Sequence, residues 1–364
     1  EQQTLKFHND REKAKVGVYK VDRETGKYLA GAVFNLYAAD DIYSVDGKLL
    51  FAAGELVATS PETGADGYTY FDCDIPIRGE YYGSSIRKDA TTNSGNYIVK
   101  ELRAPLGYYV NEEPMEVTFT YDGQAIMVLD NTCANKPTEM WVSKRDLTND
   151  EELPGATLAI KDTDGNTVTT WVSTDEPHRV TGLHFGESYT LTEIRAADGY
   201  ALADNITFRL IQKTDEGGNP LEECEVYYLT TKNILFWKWD DWRLLDDATV
   251  IMRDDITKVQ ISKKDLTTKE ELPGAELTLT DEKGNEIDRW VSTDAPHYME
   301  RLPAGKYTLT EVTAPDGYAI AERVEFEVLP TGEVQTFEMF DDTIKVKISK
   351  VDITTNKELP GAEL

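Results

Sequence analysis

The chain has 364 residues, enough for two to four ordinary domains, and a formal net charge of −29. That charge repels nucleic acid and anionic membrane and argues against both as partners. No run approaches the ~20 apolar residues needed to cross a bilayer, and Cys73, Cys133 and Cys224 form no C-x-x-C pair, so zinc and redox motifs are unsupported and disulfides are not the main staple.

Apolar residues make up 40% of the chain and tyrosine contributes 19 residues, which with frequent Thr and Val leans toward strands. The elements repeat along the chain, and the repeat sets the organisation. Residues 1–10, ending FHND, read as the last strand of a preceding unit. VYKVDRETGKYLAGAV at 18–33 opens the first complete unit, and YIVKELRAPLGY at 97–108 is its second motif, approached through extra sequence at 79–96. VSKRDLTNDEELPGAT at 142–157 and YTLTEIRAADGY at 189–200 repeat the pair. They are followed by a long extra segment, 213–248, containing ILFWKWDDWRLL. ISKKDLTTKEELPGAE at 261–276 and YTLTEVTAPDGY at 307–318 form the third pair, and ISKVDITTNKELPGAE at 348–363 opens another. The boundaries expected from this are 11–136, 137–256 and 257–343, with 344–364 as the truncated start of a fourth repeat. Starting and stopping inside repeats reads as a piece of a longer protein. Period-two alternation, as at Val259, Ile261 and Lys263, marks strands. The turn signals DG at 122–123, DGN at 164–166, KGN at 283–285 and TGE at 331–333 separate them. With no helical stripe, each unit is predicted to be an all-β sandwich of roughly seven strands.

The paired motifs, K-x-D followed by L-x-G-A and then E-x-x-A-P-x-G-Y, closely resemble the collagen-adhesin B-type repeats (Cna-B, SpaA-like or prealbumin-like) of Gram-positive surface proteins and pilins. The resemblance covers nearly the whole chain. It departs at Ala197, where the pattern has Pro. It implies tandem reverse immunoglobulin-like, transthyretin-like β-sandwiches in an elongated array. It also implies, in each unit, an intramolecular isopeptide bond between first and last strands, promoted by a buried acid. Localisation on a Gram-positive cell wall rests on the resemblance alone.

By this resemblance the donor lysines are Lys20, Lys144 and Lys263, with Lys350 in the final segment, and the acids are Glu101, Glu193 and Glu311. The acceptor should lie on the last strand. Asp254 and Asp341 each stand nine residues before the next unit's lysine, and the same count from Lys144 lands on Asn135. The position two residues earlier holds Cys133, Met252 and Met339, and residues i and i+2 share a strand face, so the three acceptors are predicted to point inward. Asn131, Asp255 and Asp342 are the runners-up. The chemistry needs these types. Burial disfavours an ammonium and exposes the amine lone pair, and it also favours a neutral carboxylic acid that can shuttle protons. A fixed near-attack pair then gains a large effective molarity. Each reaction happens once, so no turnover enzyme is expected.

Trp237, Trp239 and Trp242 in the second unit's insertion are candidate ligand contacts, or rings covering their own sandwich. DTDGN at 162–166 begins like a calcium loop but has Ser173 where the twelfth-position Glu belongs, so a hairpin turn is expected and no metal. WVSTDEPH at 171–178 and WVSTDAPH at 290–297 gather Ser, Asp and His in matching loops, which points to a structural role. Cys73 and Cys133 fall in one unit and either pair or stay reduced. The leading expectation is a structural stalk of a surface adhesin or pilin-like protein, with neighbouring repeats as partners and no cofactor. The alternatives are an adhesin module binding host protein or glycan through its insertions, and a spacer for a catalytic domain elsewhere.

Overall fold

Short β-branched and aromatic runs broken by Gly, Asp and Asn turns leave each segment no option but to pair with neighbours. In the computed structural model they do so as three successive sandwiches. The structure describes residues 13–43, 48–76, 81–82, 85–86, 96–118, 126–234, 237–245, 247–361 and 363. The expected tail at 1–10, most of 79–96 and the DG turn at 122–123 lie outside these. The described residues are strands, turns and loops, with no helix.

In every unit the first strand sits inside one sheet, paired in parallel with the last. These pairs are Lys13–Asp22 with Ile126–Asn135, Glu139–Asp146 with Thr249–Asp254, and Lys258–Asp265 with Val334–Asp341. The register is the same each time. Lys20, Lys144 and Lys263 face Cys133, Met252 and Met339, while Asp22, Asp146 and Asp265 face Asn135, Asp254 and Asp341. The facing sheet carries Asn96–Arg103, Ser188–Arg195 or Gly305–Thr313 beside its second strand, Val33–Ala38, Thr157–Lys161 or Glu276–Asp281. The third unit has three strands facing four; the second faces three against six, because Pro220–Ile234 and Trp237–Leu244 of the insertion add a hairpin to the sheet edge. Each sandwich encloses its own apolar cluster, around Val16, Phe34 and Val99, around Met140, Leu191 and Phe208, and around Val259, Leu277 and Leu309.

The K-x-D segment closes the same turn four times. The carbonyls of Lys20, Lys144, Lys263 and Lys350 accept from the amides of Leu29, Leu153, Leu272 and Leu359. The motif aspartate caps the turn: Asp22 Oδ1 accepts from Glu24 and Thr25, and Asp265 Oδ1 from Thr267 and Thr268. Its other oxygen accepts the hydroxyl of the G-Y tyrosine, from Tyr108 to Asp22, Tyr200 to Asp146 and Tyr318 to Asp265, at 2.7, 2.8 and 2.5 Å. The two sequence motifs of each unit are thereby tied together at one end of the sandwich.

Candidate functional site

Three polar clusters lie in the dry centres of the three sandwiches. The central first strand aims its lysine inward, so Lys20, Lys144 and Lys263 are 0, 1 and 2% exposed. The parallel register then delivers Asn135, Asp254 and Asp341 to the same level, and each lysine Nζ contacts the Oδ1 of its neighbour directly. From the facing sheet, Glu101, Glu193 and Glu311 place Oε1 3.0 Å from Nζ in every unit. A β-bulge follows each glutamate, at Leu102, Ile194 and Val312, where the register with the neighbouring strand shifts. A bulge bends its strand and re-aims side chains; here the bulged apolar residue turns out to solvent and the glutamate stays in.

A further contact orients each carboxyl and was not visible in the motifs. The backbone N–H ten residues on, from Asn111, Ala203 and Ala321, donates to Oε2 of Glu101, Glu193 and Glu311 at 2.7, 2.7 and 2.6 Å. The G-Y turn sets this constant spacing, which is the signal that could have found it.

The clusters differ in charge. In the first unit Asn135 Nδ2 donates to both oxygens of Glu101, at 3.0 and 2.9 Å, and Cys133 Sγ lies 3.0 Å from Lys20 Nζ. In the other two, an acid replaces the amide: Asp254 Oδ2 and Asp341 Oδ2 are buried with no donor to accept from, and Glu193 Oε1 and Glu311 Oε1 are held by the lysine Nζ. Burial, only partly offset by the lysine, pushes the Asp254 carboxyl up to about 7 and that of Asp341 up to about 6. Both can therefore hold a proton near neutrality.

The runners-up lie elsewhere. Asp255 and Asp342 make ion pairs at 2.8 Å with Lys258 and Lys345, and Asn131 stands opposite Val18. Cys73 is exposed, Cys133 and Cys224 are buried, and all three are unbridged. DTDGN is a hairpin turn in which Asp162 accepts from the amides of Asp164 and Asn166. No group of metal-binding side chains occurs among the described residues. In the WVSTD-x-PH loops, Ser173 and Ser292 donate to the carbonyls of Leu153 and Leu272, while Trp171 and Trp290 stack on His178 and His297 with centroids 4.4 and 4.2 Å apart. In the insertion, the side chains of Trp237 and Trp239 lie outside the described residues. Trp242 packs against Arg209 of its own sheet, 4.3 Å from guanidinium to ring centre. Trp242→Ala is therefore expected to lower the second unit's stability by about 1–2 kcal/mol, read from its denaturant midpoint.

The family described as SpaA, prealbumin-like fold domain, matches at residues 14–132, 138–223 and 257–343. Similar solved structures include the Bacillus anthracis TIE protein, at 22% identity and TM-score 0.38, covering 91% of this chain and 51% of that one. The major pilin SpaD of Corynebacterium diphtheriae is 13% identical with TM-score 0.40, covering 94% and 100%. BcpA, the major pilin subunit of Bacillus cereus, is 15% identical with TM-score 0.34, covering 92% and 100%. The chain spans about half the length of the TIE protein, and no curated protein sequence matches it. With three family matches that together take in most of its length, the chain belongs to the SpaA prealbumin-like fold domain family.

Proposed function

We propose that this chain is a load-bearing stalk of a Gram-positive surface protein, pilin-like in kind, built from units 11–136, 137–256 and 257–343 with a fourth opening at 344. Each unit closes itself with one isopeptide bond: Lys20 to Asn135, Lys144 to Asp254, Lys263 to Asp341. The observation that carries this reading is the threefold recurrence of a buried Lys–Glu–Asn/Asp cluster joining first and last strands. A structural ion pair would not need a third, proton-carrying group in the same place each time, and isolated buried charges are costly.

The neutral lysine Nζ attacks the side-chain carbonyl carbon, and the C–N bond forms as the carbonyl π pair moves to Oδ1. Glutamate takes a proton from the attacking nitrogen and gives one to the leaving group. Asn135 loses ammonia through Nδ2, already hydrogen-bonded to Glu101. Asp254 and Asp341 lose Oδ2 as water. The bond of the carbonyl carbon to its leaving atom breaks as the π bond re-forms, and the glutamate ends as it began.

Intact mass tests this directly. The first unit should weigh about 17 Da less than its sequence and the other two about 18 Da less each, the losses that go with condensation of a preorganised pair. A full-length mass with no deficit would remove the crosslink and leave a plain β spacer.

The two acceptor chemistries also predict a pH contrast. The neutral carboxylic acid is the electrophile in the second and third units, so crosslinking of freshly synthesised, not yet crosslinked chain should slow as pH rises through about 6 for Asp341 and about 7 for Asp254. The linkage has the same sign. A carboxyl raised in the folded precursor stabilises it below the unfolded value near 3.8, and that contribution is lost as pH rises through the folded value. Asn135 has no such titration, so the 17 Da loss should continue at pH 8 where the 18 Da losses lag. Equal slowing of all three units would count against the carboxyl mechanism.

A further inference from the structure

Consecutive units meet by the same backbone contacts at both junctions. Thr138 N–H donates to the Gly107 carbonyl and its own carbonyl accepts from Gly182; Thr257 does the same with Gly199 and Arg301, at 2.9–3.0 Å throughout. The turn of the later unit presses so close that a Cβ on Gly107 would lie 2.5 Å from the Gly182 carbonyl oxygen, and one on Gly199 would lie 2.6 Å from that of Arg301.

At one point the two junctions part. The residue in the left-handed turn is Gly182 at φ 81° in the second unit, but Arg301 at φ 60° in the third. Side chains other than Gly, Asn and Asp rarely adopt that conformation, and its retention by arginine calls for an explanation outside the turn. The side chain supplies one. Its guanidinium reaches back into the second unit, donates to Asp146 Oδ2 at 2.9 Å and to the Tyr200 hydroxyl, and lies 4.9 Å from the Tyr200 ring centre. Asp146 and Tyr200 are the motif residues that already tie the unit's end together, and the Asp146 side chain is only 5% exposed. At the preceding junction a different arginine finds the matching turn: Arg179 donates to Glu24 at 2.6 and 3.2 Å, two residues beyond Asp22.

We propose that the turn following each K-x-D strand is a socket for an arginine of the next repeat, and that Arg301 in the Asp146–Tyr200 socket fixes the angle between the second and third units. Chain-linked domains otherwise move relative to one another by default. A stacked, ion-paired guanidinium on a partly buried carboxylate resists this better than an exposed ion pair. The arginine thus accepts local strain in its own unit to act on the preceding one. This inference does not depend on the crosslinks.

The test uses the full chain carrying Cys73→Ser, with nitroxide labels at Asp164→Cys and Glu282→Cys, both exposed turn positions, and pulsed electron-electron distance measurement. The unaltered junction should give a narrow distribution. Arg301→Gly and Arg301→Asn both suit a left-handed turn, so the third unit's own melting should hold or rise while the distance distribution roughly doubles in width. The Asn variant guards against broadening from glycine flexibility alone. Distributions as narrow as the parent's in both variants would overturn the proposal, as would a lower melting point of the third unit with unchanged width, since the arginine would then serve its own turn.

Discussion

Replacing Glu101, Glu193 and Glu311 together by Gln is expected to leave the chain at the full mass of its sequence. Glutamine keeps the size of the acid and one acceptor oxygen, for the backbone N–H, but cannot carry its proton, and general acid–base transfer contributes roughly 10²–10⁴-fold to such a step. The bonds proposed above would close loops of 115, 110 and 78 residues, and the chain-entropy model values closures of this size at about 4.5–5 kcal/mol each. For units of this size that corresponds to a fall in melting temperature on the order of 20–30 °C, large against the 5–15 kcal/mol total stability of a typical domain. Mass spectrometry and calorimetry on the same sample check the two halves together. A Gln variant that still lost mass would remove glutamate from the chemistry. A crosslinked and an uncrosslinked form melting alike would remove the bond from the stability of the fold.

Under tension the difference is larger. Force applied to the two ends of a unit enters at the first and last strands, and a covalent bond between them bypasses everything in the closed loop. With Lys263→Met the 78 residues between donor and acceptor become free to extend, at about 3.3–3.6 Å per residue. A single-molecule pulling trace should then gain one step of about 260–280 Å, less the folded end-to-end distance of the unit. The unaltered chain should show no such step from any of its three units until its covalent bonds fail. Reductant should change nothing, since the cysteines are unbridged. A third-unit step in the unaltered chain would show that load does pass through its core.

Much of this was legible because the chain states it three times. A lone lysine on a strand is most simply a solvated residue with a snorkelling stem. Lys20, Lys144 and Lys263 escaped that reading by standing at the same place before L-x-G-A, and the nine-residue count to Asn135, Asp254 and Asp341 works because every last strand ends in the same register beside its first. The structure brings these residues and the glutamates together; their chemical role is the proposal made above. The insertion was harder to read. Alternating residues within 220–244 are compatible with a separate arm or with two more strands on the sheet, and only the pairing of 220–228 to the neighbouring strand Ile206–Thr214 decides for the sheet. The long Glu193-to-Asp254 interval follows from that added hairpin and leaves the cluster geometry unchanged.

The sequence by itself determined the repeat, the all-β class and the recurring places of the lysine, the glutamate and the Asn or Asp, because each is written locally: in strand alternation, in turn residues, and in distances along one chain. Tertiary structure alone decided what the motif Asp, Gly and Tyr are for. Gly107 and Gly199 are small because the next unit's backbone occupies the space a side chain would take, and Asp146 and Tyr200 are shared with an arginine more than a hundred residues later. Such contacts form between surfaces of separately folded units, and their partners leave no periodicity or fixed spacing in the residues that make them.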